Sequence, residues 1–598
     1  MNKNVENTIL ETQIELLCEL YEKNKFLTVI QKTKSLLRNF KFSITLYNIL
    51  GMAYAKIEKF DNAIENYQIA LNLNPQYHLT FYNIGILYHE KKEFEKAIFY
   101  YKKAIEHFPN YLNALYNLGF VYKQKGQFVK AAKLFKTIIS KEPKYFNAYR
   151  CLSEIFCEYG DFKTGEKNLR TSFEKLIEEK KITPNSLDHF SHIFFGLNYN
   201  PDYSAEQIYS YYKQFDQKFS FPSQKHWQPF PQIKKNKPKL KIGYVSPDFK
   251  NHSMKNYLKP ALKNHNQKKF EIYAFAELTK EDHVTKQYKS YVDHWIPTRN
   301  LTDQQMVQKI RDMEIDILVD LAGHTNGNRL GVFARKPAPV SLYWCLGSGY
   351  TTGLSSIDYF LTNKVLAPNG SEHLFSEKLY YLPQYHAIWD PDSNQMGDVG
   401  TLPALEKGYI TFGTLTRAIR INDRVIKVWA EILKSVKNSK LVINSDDFDH
   451  YKTKRILISK FNELNIDRNR LEIGFQSPPW DTMRQIDIAL DCFPHNSGTT
   501  LTEHLYMGNP FITYSNRIGV GKIGAGILTA LGREEWIAYS EQEYVDKAVT
   551  LATDKEKLTT IRSSLRKEME ISPIMDHKGF VKKLEKVYKQ MWEDNQLY

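Results

Sequence analysis

DCFPHNSGTTLTEHLYMGNP, residues Asp491–Pro510, follows an apolar run at Ile486–Leu490 that reads as the end of a strand. Ser497-Gly498 spells a tight turn, and Thr499-Thr500 opens a helix. A strand–turn–helix junction presents free backbone N–H groups and the positive end of a helix dipole, which together attract an anion. Thr499 and Thr500 add two hydroxyl donors. Glu503, one turn in on the same face, suits the two hydroxyls of a ribose. The stretch therefore fits a nucleoside diphosphate held by both ends. It also fits an ordinary capped helix packed on a sheet, so the surrounding chain has to decide.

On both sides the chain alternates strand and helix. Gly408–Ala552 runs YITFGTL, a helix over Asp423–Val436, SKLVINS, LEIGF, IDIALDC, the helix after Thr499, then PFITYSN. Lys239–Pro383 has the same rhythm, with LKIGYVS, FEIYAFAE, a helix over Asp303–Met313, IDILVDLAG, PVSLYW and IDYFLTN. Apolar strands separated by helices predict parallel sheets covered on both faces. Two such doubly wound, Rossmann-like lobes in tandem predict a ligand cleft between the carboxyl ends of their sheets. We assign residues 239–390 to the first lobe, 391–575 to the second and 576–598 to a closing helix. The helices expected at Gln542–Glu570 and Lys578–Asp594 should pack around the cleft.

Upstream, one pattern returns every 34 residues. Tyr47, Leu50, Gly51, Tyr54, Ala63, Tyr67, Ala70 and Pro75 become Phe81, Ile84, Gly85, Tyr88, Ala97, Tyr101, Ala104 and Pro109. They become again Leu115, Leu118, Gly119, Tyr122, Ala131, Phe135, Ile138 and Pro143. Each unit reads as two amphipathic helices, with small residues allowing close approach and Pro ending the second helix. The pattern resembles the tetratricopeptide repeat. Degenerate copies around Leu16–Leu36 and Tyr149–Ser172 serve as caps, so the α-superhelical array is placed at residues 1–178. Its concave groove suits an extended peptide, and Asn48, Asn83 and Asn117 are candidate amides for the peptide backbone. Residues 179–238 read as a connector, with a helix at Ser204–Phe219 and a Pro- and Lys-rich surface linker at Phe221–Lys239.

The 598 residues leave room for several domains. The net charge of +15 comes from scattered Lys rather than a basic stripe, which argues against a nucleic-acid partner. Cys18, Cys151, Cys157, Cys345 and Cys492 form no CxxC pair and read as reduced core residues. No secretory signal opens the chain and no apolar run reaches the roughly 18 residues of a membrane span. A cytoplasmic protein is expected.

The lobes carry IGYVSPDFKNHSM (Ile242–Met254), VDLAGHTNGNRLGVFARKPAPVSLYW (Val319–Trp344), TTGLSSIDYF (Thr351–Phe360), SEKLYYLP (Ser376–Pro383) and FGTLTRAIRINDRVIKVWAEIL (Phe412–Leu433). With the opening stretch, and in this order behind a repeat array, they resemble the catalytic region of O-linked N-acetylglucosamine transferases and SPINDLY-type proteins. The resemblance implies a two-lobed GT-B fold, a nucleotide-sugar donor, inversion at the anomeric carbon, no metal or other cofactor, and protein Ser or Thr hydroxyls as acceptors. It places a functionally required His at His252, and Arg420 where the family has a phosphate-contacting Lys. Lys522 stands where relatives often have Arg, and His324 follows a strand that ends near the cleft. Thr499, Thr500 and Arg420 would meet the charge on the leaving diphosphate. Asp447-Phe448-Asp449 has the spelling of a metal-binding Asp-x-Asp but reads as a solvated loop. The sequence departs from the family in the Trp344–Thr352 loop, which lacks a Pro and is one residue longer, and at Thr416-Arg417, where relatives have an Asn pair. UDP-N-acetylglucosamine is the first donor and GDP-fucose the second. The rival from another class is a repeat scaffold whose catalytic region has lapsed, against which stands the retention of His252, Thr499, Thr500 and Glu503.

Overall fold

The computed structural model describes residues 3–158, 161–179, 184–220, 224–225, 227–230, 237–346, 350–383, 385–449 and 451–595. Two compact units divide the chain, one formed by Met1–Ile155 with Lys167–Lys175 and Asn300–Thr302, the other by the remainder. Among the described residues no helix is long and apolar enough to cross a membrane.

The first unit is a run of helical hairpins. Ile44–Lys56 pairs with Phe60–Leu73, His78–Glu90 with Phe94–His107, and Leu112–Gln124 with Phe128–Lys141. The 34-residue pattern has a direct cause. A Cβ at Gly51 would stand 2.5 Å from the Tyr67 ring, one at Gly85 2.6 Å from Tyr101, and one at Gly119 3.0 Å from Phe135. Each glycine thus admits the aromatic ring of its partner helix, and Tyr67, Tyr101 and Phe135 are fully buried.

The asparagines differ from expectation at one position. Asn83 and Asn117 are 34 residues apart, but 34 residues before Asn83 stands Ile49, so Asn48 is one residue out of register, about 100° around its helix. Its amide is buried inside the array. Nδ2 donates to the Ile44 carbonyl (3.0 Å) and Thr80 Oγ1 (2.8 Å), and Oδ1 accepts from Asn83 Nδ2 (3.0 Å). Asn117 Nδ2 donates likewise to Tyr82 OH (3.2 Å). These contacts form an inter-repeat ladder in which Asn48 is a structural rung and not a peptide-facing amide.

In the second unit, one sheet holds β1 (Leu240–Ser246), β2 (Phe270–Ala276), β3 (His294–Pro297), β4 (Ile317–Asp320), β5 (Val340–Trp344), β6 (Tyr359–Thr362) and β7 (Lys378–Tyr381) in the order β3-β2-β1-β4-β5-β6-β7. The other holds β8 (Ile410–Leu415), β9 (Ser439–Asn444), β10 (Leu471–Gly474), β11 (Ile488–Leu490), β12 (Phe511–Tyr514) and β13 (Ile537–Ala538) in the order β10-β9-β8-β11-β12-β13. Every pairing is parallel. β4, β5 and β8 are buried along their whole length, as helices on both sheet faces require. The strand order reverses between β1 and β4 and again between β8 and β11, and the loops leaving β1, β8 and β11 carry the candidate site.

The closing helix, His577–Asn595, returns to the first lobe. Tyr588 OH lies 2.9 Å from Tyr244 OH, and Phe580 stacks on Trp344 at 5.8 Å. The connector is more ordered than a linker. Besides the expected helix at Ala205–Phe219 it holds a second, Pro184–Leu197. Tyr209 OH donates to the Phe375 carbonyl (2.9 Å), and Asp216 accepts from Ser355 N (3.0 Å). In the expected surface linker, 221–223, 226 and 231–236 lie outside the described residues, but Trp227 Nε1 donates to the Ala334 carbonyl (2.9 Å), so this part is docked. None of the five cysteines forms a disulfide; Cys18 is exposed rather than in the core, and Cys157 is half-buried.

Candidate functional site

β11 ends at Leu490, and the chain turns through Asp491–Gly498 into the helix Thr499–Tyr506. A buried carboxylate organises this turn. Asp491 accepts from Ser497 N (2.9 Å), Cys492 N (2.8 Å) and Thr513 Oγ1 (2.7 Å). Burial raises its carboxyl to about 7, against those hydrogen bonds and the Arg420 charge. Asn496 ties the turn to the next segment by donating N–H to the Val520 carbonyl (2.9 Å). At the helix start, the backbone N–H groups of Thr499 and Thr500 donate to no described residue. A Cβ on Gly498 would meet nothing closer than Ile523 Cγ2 at 3.9 Å. Among the described residues only Ile523 Cγ2 borders that space within 4 Å.

The loop after β8 faces this junction. Ala418–Arg420 forms a short helical turn, pinned by Asp447 Oδ2, which accepts from Ala418 N (2.7 Å). Asp447 is therefore a structural brace and not a solvated residue, while the side chain of Asp449 lies outside the described residues. Arg420 Nη1 donates to Ser497 Oγ (3.2 Å), which lies 3.4 Å from Thr416 Oγ1. Arg420 Nε is buried with no hydrogen-bond partner among the described residues. A guanidinium, two hydroxyls and a free helix N-terminus thus converge at the switch point, as an anionic ligand requires.

The first lobe closes the other side. Tyr257 OH donates to Thr499 Oγ1 (3.2 Å), and the Lys255 ammonium acts on Glu503. Burial raises the Glu503 carboxyl to about 8, with Lys255 opposing the shift. His252 stands exposed in the loop leading into the helix Lys255–Lys263, which carries Tyr257. Its Nδ1 accepts from Met254 N (3.4 Å) and lies 3.7 Å from Asp248 Oδ1.

Two candidates are engaged by other protein groups. His324 is a strut: Nδ1 lies 2.9 Å from Ser191 Oγ and Nε2 2.8 Å from the Thr352 carbonyl, with the Phe194 ring edge-on at 4.8 Å. Burial lowers its pKa to about 4, so it stays neutral with both nitrogens engaged and none left for a ligand. Lys522 donates to Ser515 Oγ (3.1 Å), and burial lowers its pKa. Tyr257, Lys255, Ser497 and Asp491 were not singled out from the sequence. Only Asp491 carried a local signal, an acid ending a buried strand just before a turn whose amides need acceptors. In the Trp344–Thr352 loop, 347–349 lie outside the described residues.

Comparison with known proteins fits this geometry. Residues 157–398 and 401–584 match the model of Glycosyl transferase family 41, and tetratricopeptide models match 51–92, 78–111 and 100–133. The tomato (Solanum lycopersicum) protein named probable UDP-N-acetylglucosamine–peptide N-acetylglucosaminyltransferase SPINDLY is 31% identical over 422 residues, 69% of this chain and 45% of that protein. The Arabidopsis thaliana protein of the same name is 30% identical over 423 residues, 69% and 46% of the two chains. This chain thus spans about half the length of the curated relatives it matches. Among solved structures, an O-GlcNAc transferase mutant from Thermobaculum terrenum superposes with a TM-score of 0.75 at 25% identity, covering 87% of this chain and 98% of that one.

Proposed function

The chain belongs to glycosyl transferase family 41, and we propose that it is an inverting protein O-glycosyltransferase that works without a metal. The observation that carries this reading is the convergence of Arg420, Ser497 and the unbonded amides of Thr499 and Thr500 at the β8–β11 switch point. The diphosphate of a nucleotide sugar lies on these groups and the ribose reaches Glu503. A Ser or Thr hydroxyl of the acceptor protein arrives from the first lobe. Its oxygen attacks the anomeric carbon from the face opposite the diphosphate, whose bond to the sugar breaks with its electron pair. The hydroxyl proton passes to the exposed imidazole of His252. Arg420 and the helix N-terminus stabilise the charge that grows on the leaving phosphate. Acceptor selection falls to the repeat array, whose half-buried Asn83 and Asn117 remain the candidate peptide contacts.

UDP-N-acetylglucosamine is the first donor, a choice supported by the names of the relatives. GDP-fucose is the alternative. Incubating the protein with each donor in excess chelator and measuring nucleoside diphosphate release tests both the reaction and the metal independence. Release from one donor at an undiminished rate is expected. Release only on adding Mn²⁺ or Mg²⁺ contradicts the charge arrangement, and release from neither donor contradicts the reading.

A further inference from the structure

The connector reaches the anion site. Phe195 lies in the last turn of the helix Pro184–Leu197 and Tyr199 just beyond it, with the rings edge to face at 5.2 Å and 67°. The Arg417 guanidinium lies over the Phe195 ring at 5.8 Å and that of Arg420 over the Tyr199 ring at 5.9 Å. Tyr199 also stacks on His495, within the phosphate turn, at 4.5 Å and 12°. Its side chain is buried and its hydroxyl has no hydrogen-bond partner among the described residues, so what holds it in place is the ring. The segment is clamped to the second lobe. Arg517 Nη1 donates to the carbonyls of Asn200 (2.9 Å) and Tyr203 (3.2 Å), and Nη2 to that of Asn198.

Such support suits arginines that must stay cationic. A carboxylate partner would neutralise a guanidinium before an anionic ligand arrived, whereas an aromatic face attracts it and leaves its charge and N–H donors available. Neither Arg417 nor Arg420 is ion-paired among the described residues. Asp491, the carboxyl that feels Arg420, is already engaged by Ser497, Cys492 and Thr513. We propose that Phe195 and Tyr199 form an aromatic platform that positions Arg417 and Arg420 for the diphosphate, with Tyr199 the positioning residue for Arg420. This inference rests on reading the site as one for a nucleoside diphosphate.

The test is calorimetric titration of UDP and GDP into the full chain and its variants, with a melting curve for each. Tyr199→Phe keeps the ring and is expected to bind within about twofold of the parent. Tyr199→Leu keeps bulk without a π face and should lose about tenfold in affinity, between the effects of an exposed and a desolvated cation–π contact. Phe195→Leu, at a half-buried ring, should lose about threefold by the same effect in a more exposed setting. Phe190→Leu loosens the connector core, where Phe190 packs on Phe215 at 5.0 Å, and should melt lower yet bind as the parent does. Parent-like affinity in Tyr199→Leu, an equal loss in Tyr199→Phe, or an equal loss in Phe190→Leu would overturn the platform. A parent chain that binds neither UDP nor GDP would instead overturn the diphosphate reading itself.

Discussion

At Arg420 and Glu503 the account separates chemistry from binding. Arg420 faces charge that increases as the sugar–phosphate bond breaks, so Arg420→Ala is expected to lower kcat by about 10²–10³-fold, with a smaller effect on donor affinity. Glu503 faces ribose hydroxyls that do not change, so Glu503→Ala should raise KM and spare kcat; steady-state kinetics on the pair checks the split. Glu503 also predicts a pH effect. Its carboxyl is raised from 4.5 to about 8 in the folded protein, so between those values the native state holds more proton than the unfolded one. That contribution to stability is fully present below pH 4.5 and is lost as pH rises through about 8. Without nucleotide, Glu503→Gln should therefore melt progressively higher than the parent as pH rises from 5 to 9; a constant difference in melting temperature would contradict the buried, ligand-free carboxyl. Thr499, Thr500 and Glu503 are proposed from a local pattern, a turn opening a helix, whereas Arg420 enters only through the resemblance to the family. His324 and Asn48 misled for a physical reason: side-chain type and spacing do not reveal which partner uses a nitrogen first. Ser191 and Thr352 take both nitrogens of His324, and the one-residue slip at Asn48 turns its amide inward.

Among the elements, the interior strands of both sheets were readable as apolar runs, and the strands that escaped are edge strands. β3, His-Trp-Ile-Pro, buries only Ile296 fully, and β7 and β13 are four and two residues long. An edge strand with one covered face carries too little apolar signal to stand out. The connector helix Pro184–Leu197 was missed because its apolar residues meet two different surfaces rather than one. The junction Gly498–Thr499 yields a prediction at this scale. Since a Cβ at Gly498 meets no described atom closer than Ile523 Cγ2 at 3.9 Å, Gly498→Ala should melt within about 1 °C of the parent, yet bind nucleoside diphosphate more weakly. Unchanged affinity by calorimetry would mean that the open space is not the ligand's. His252 belongs to the loop after β1, across the site from the phosphate turn. His252→Ala should reduce transfer while a complex with nucleoside diphosphate still forms, and loss of that complex would reverse the assignment of lobes.

Across the whole molecule, the repeats and the lobes were the most legible feature, since a 34-residue period and two strand–helix alternations are long-range patterns that no single substitution hides. What the sequence left unread was how the lobes share the site, because contacts such as Tyr257 to Thr499 join residues 242 positions apart and leave no local pattern. In the proposed function the two parts divide the labour, the array selecting a protein and the lobes moving a sugar onto it. The most direct measurement follows donor hydrolysis and protein modification side by side, for the full chain and for one lacking residues 1–143, using intact-mass spectrometry of a protein acceptor. The account predicts that the full chain releases nucleoside diphosphate and adds one sugar to the acceptor, while the shortened chain still hydrolyses donor slowly but leaves the acceptor unmodified. Acceptor modified equally by both chains, or donor hydrolysed by neither, would contradict it.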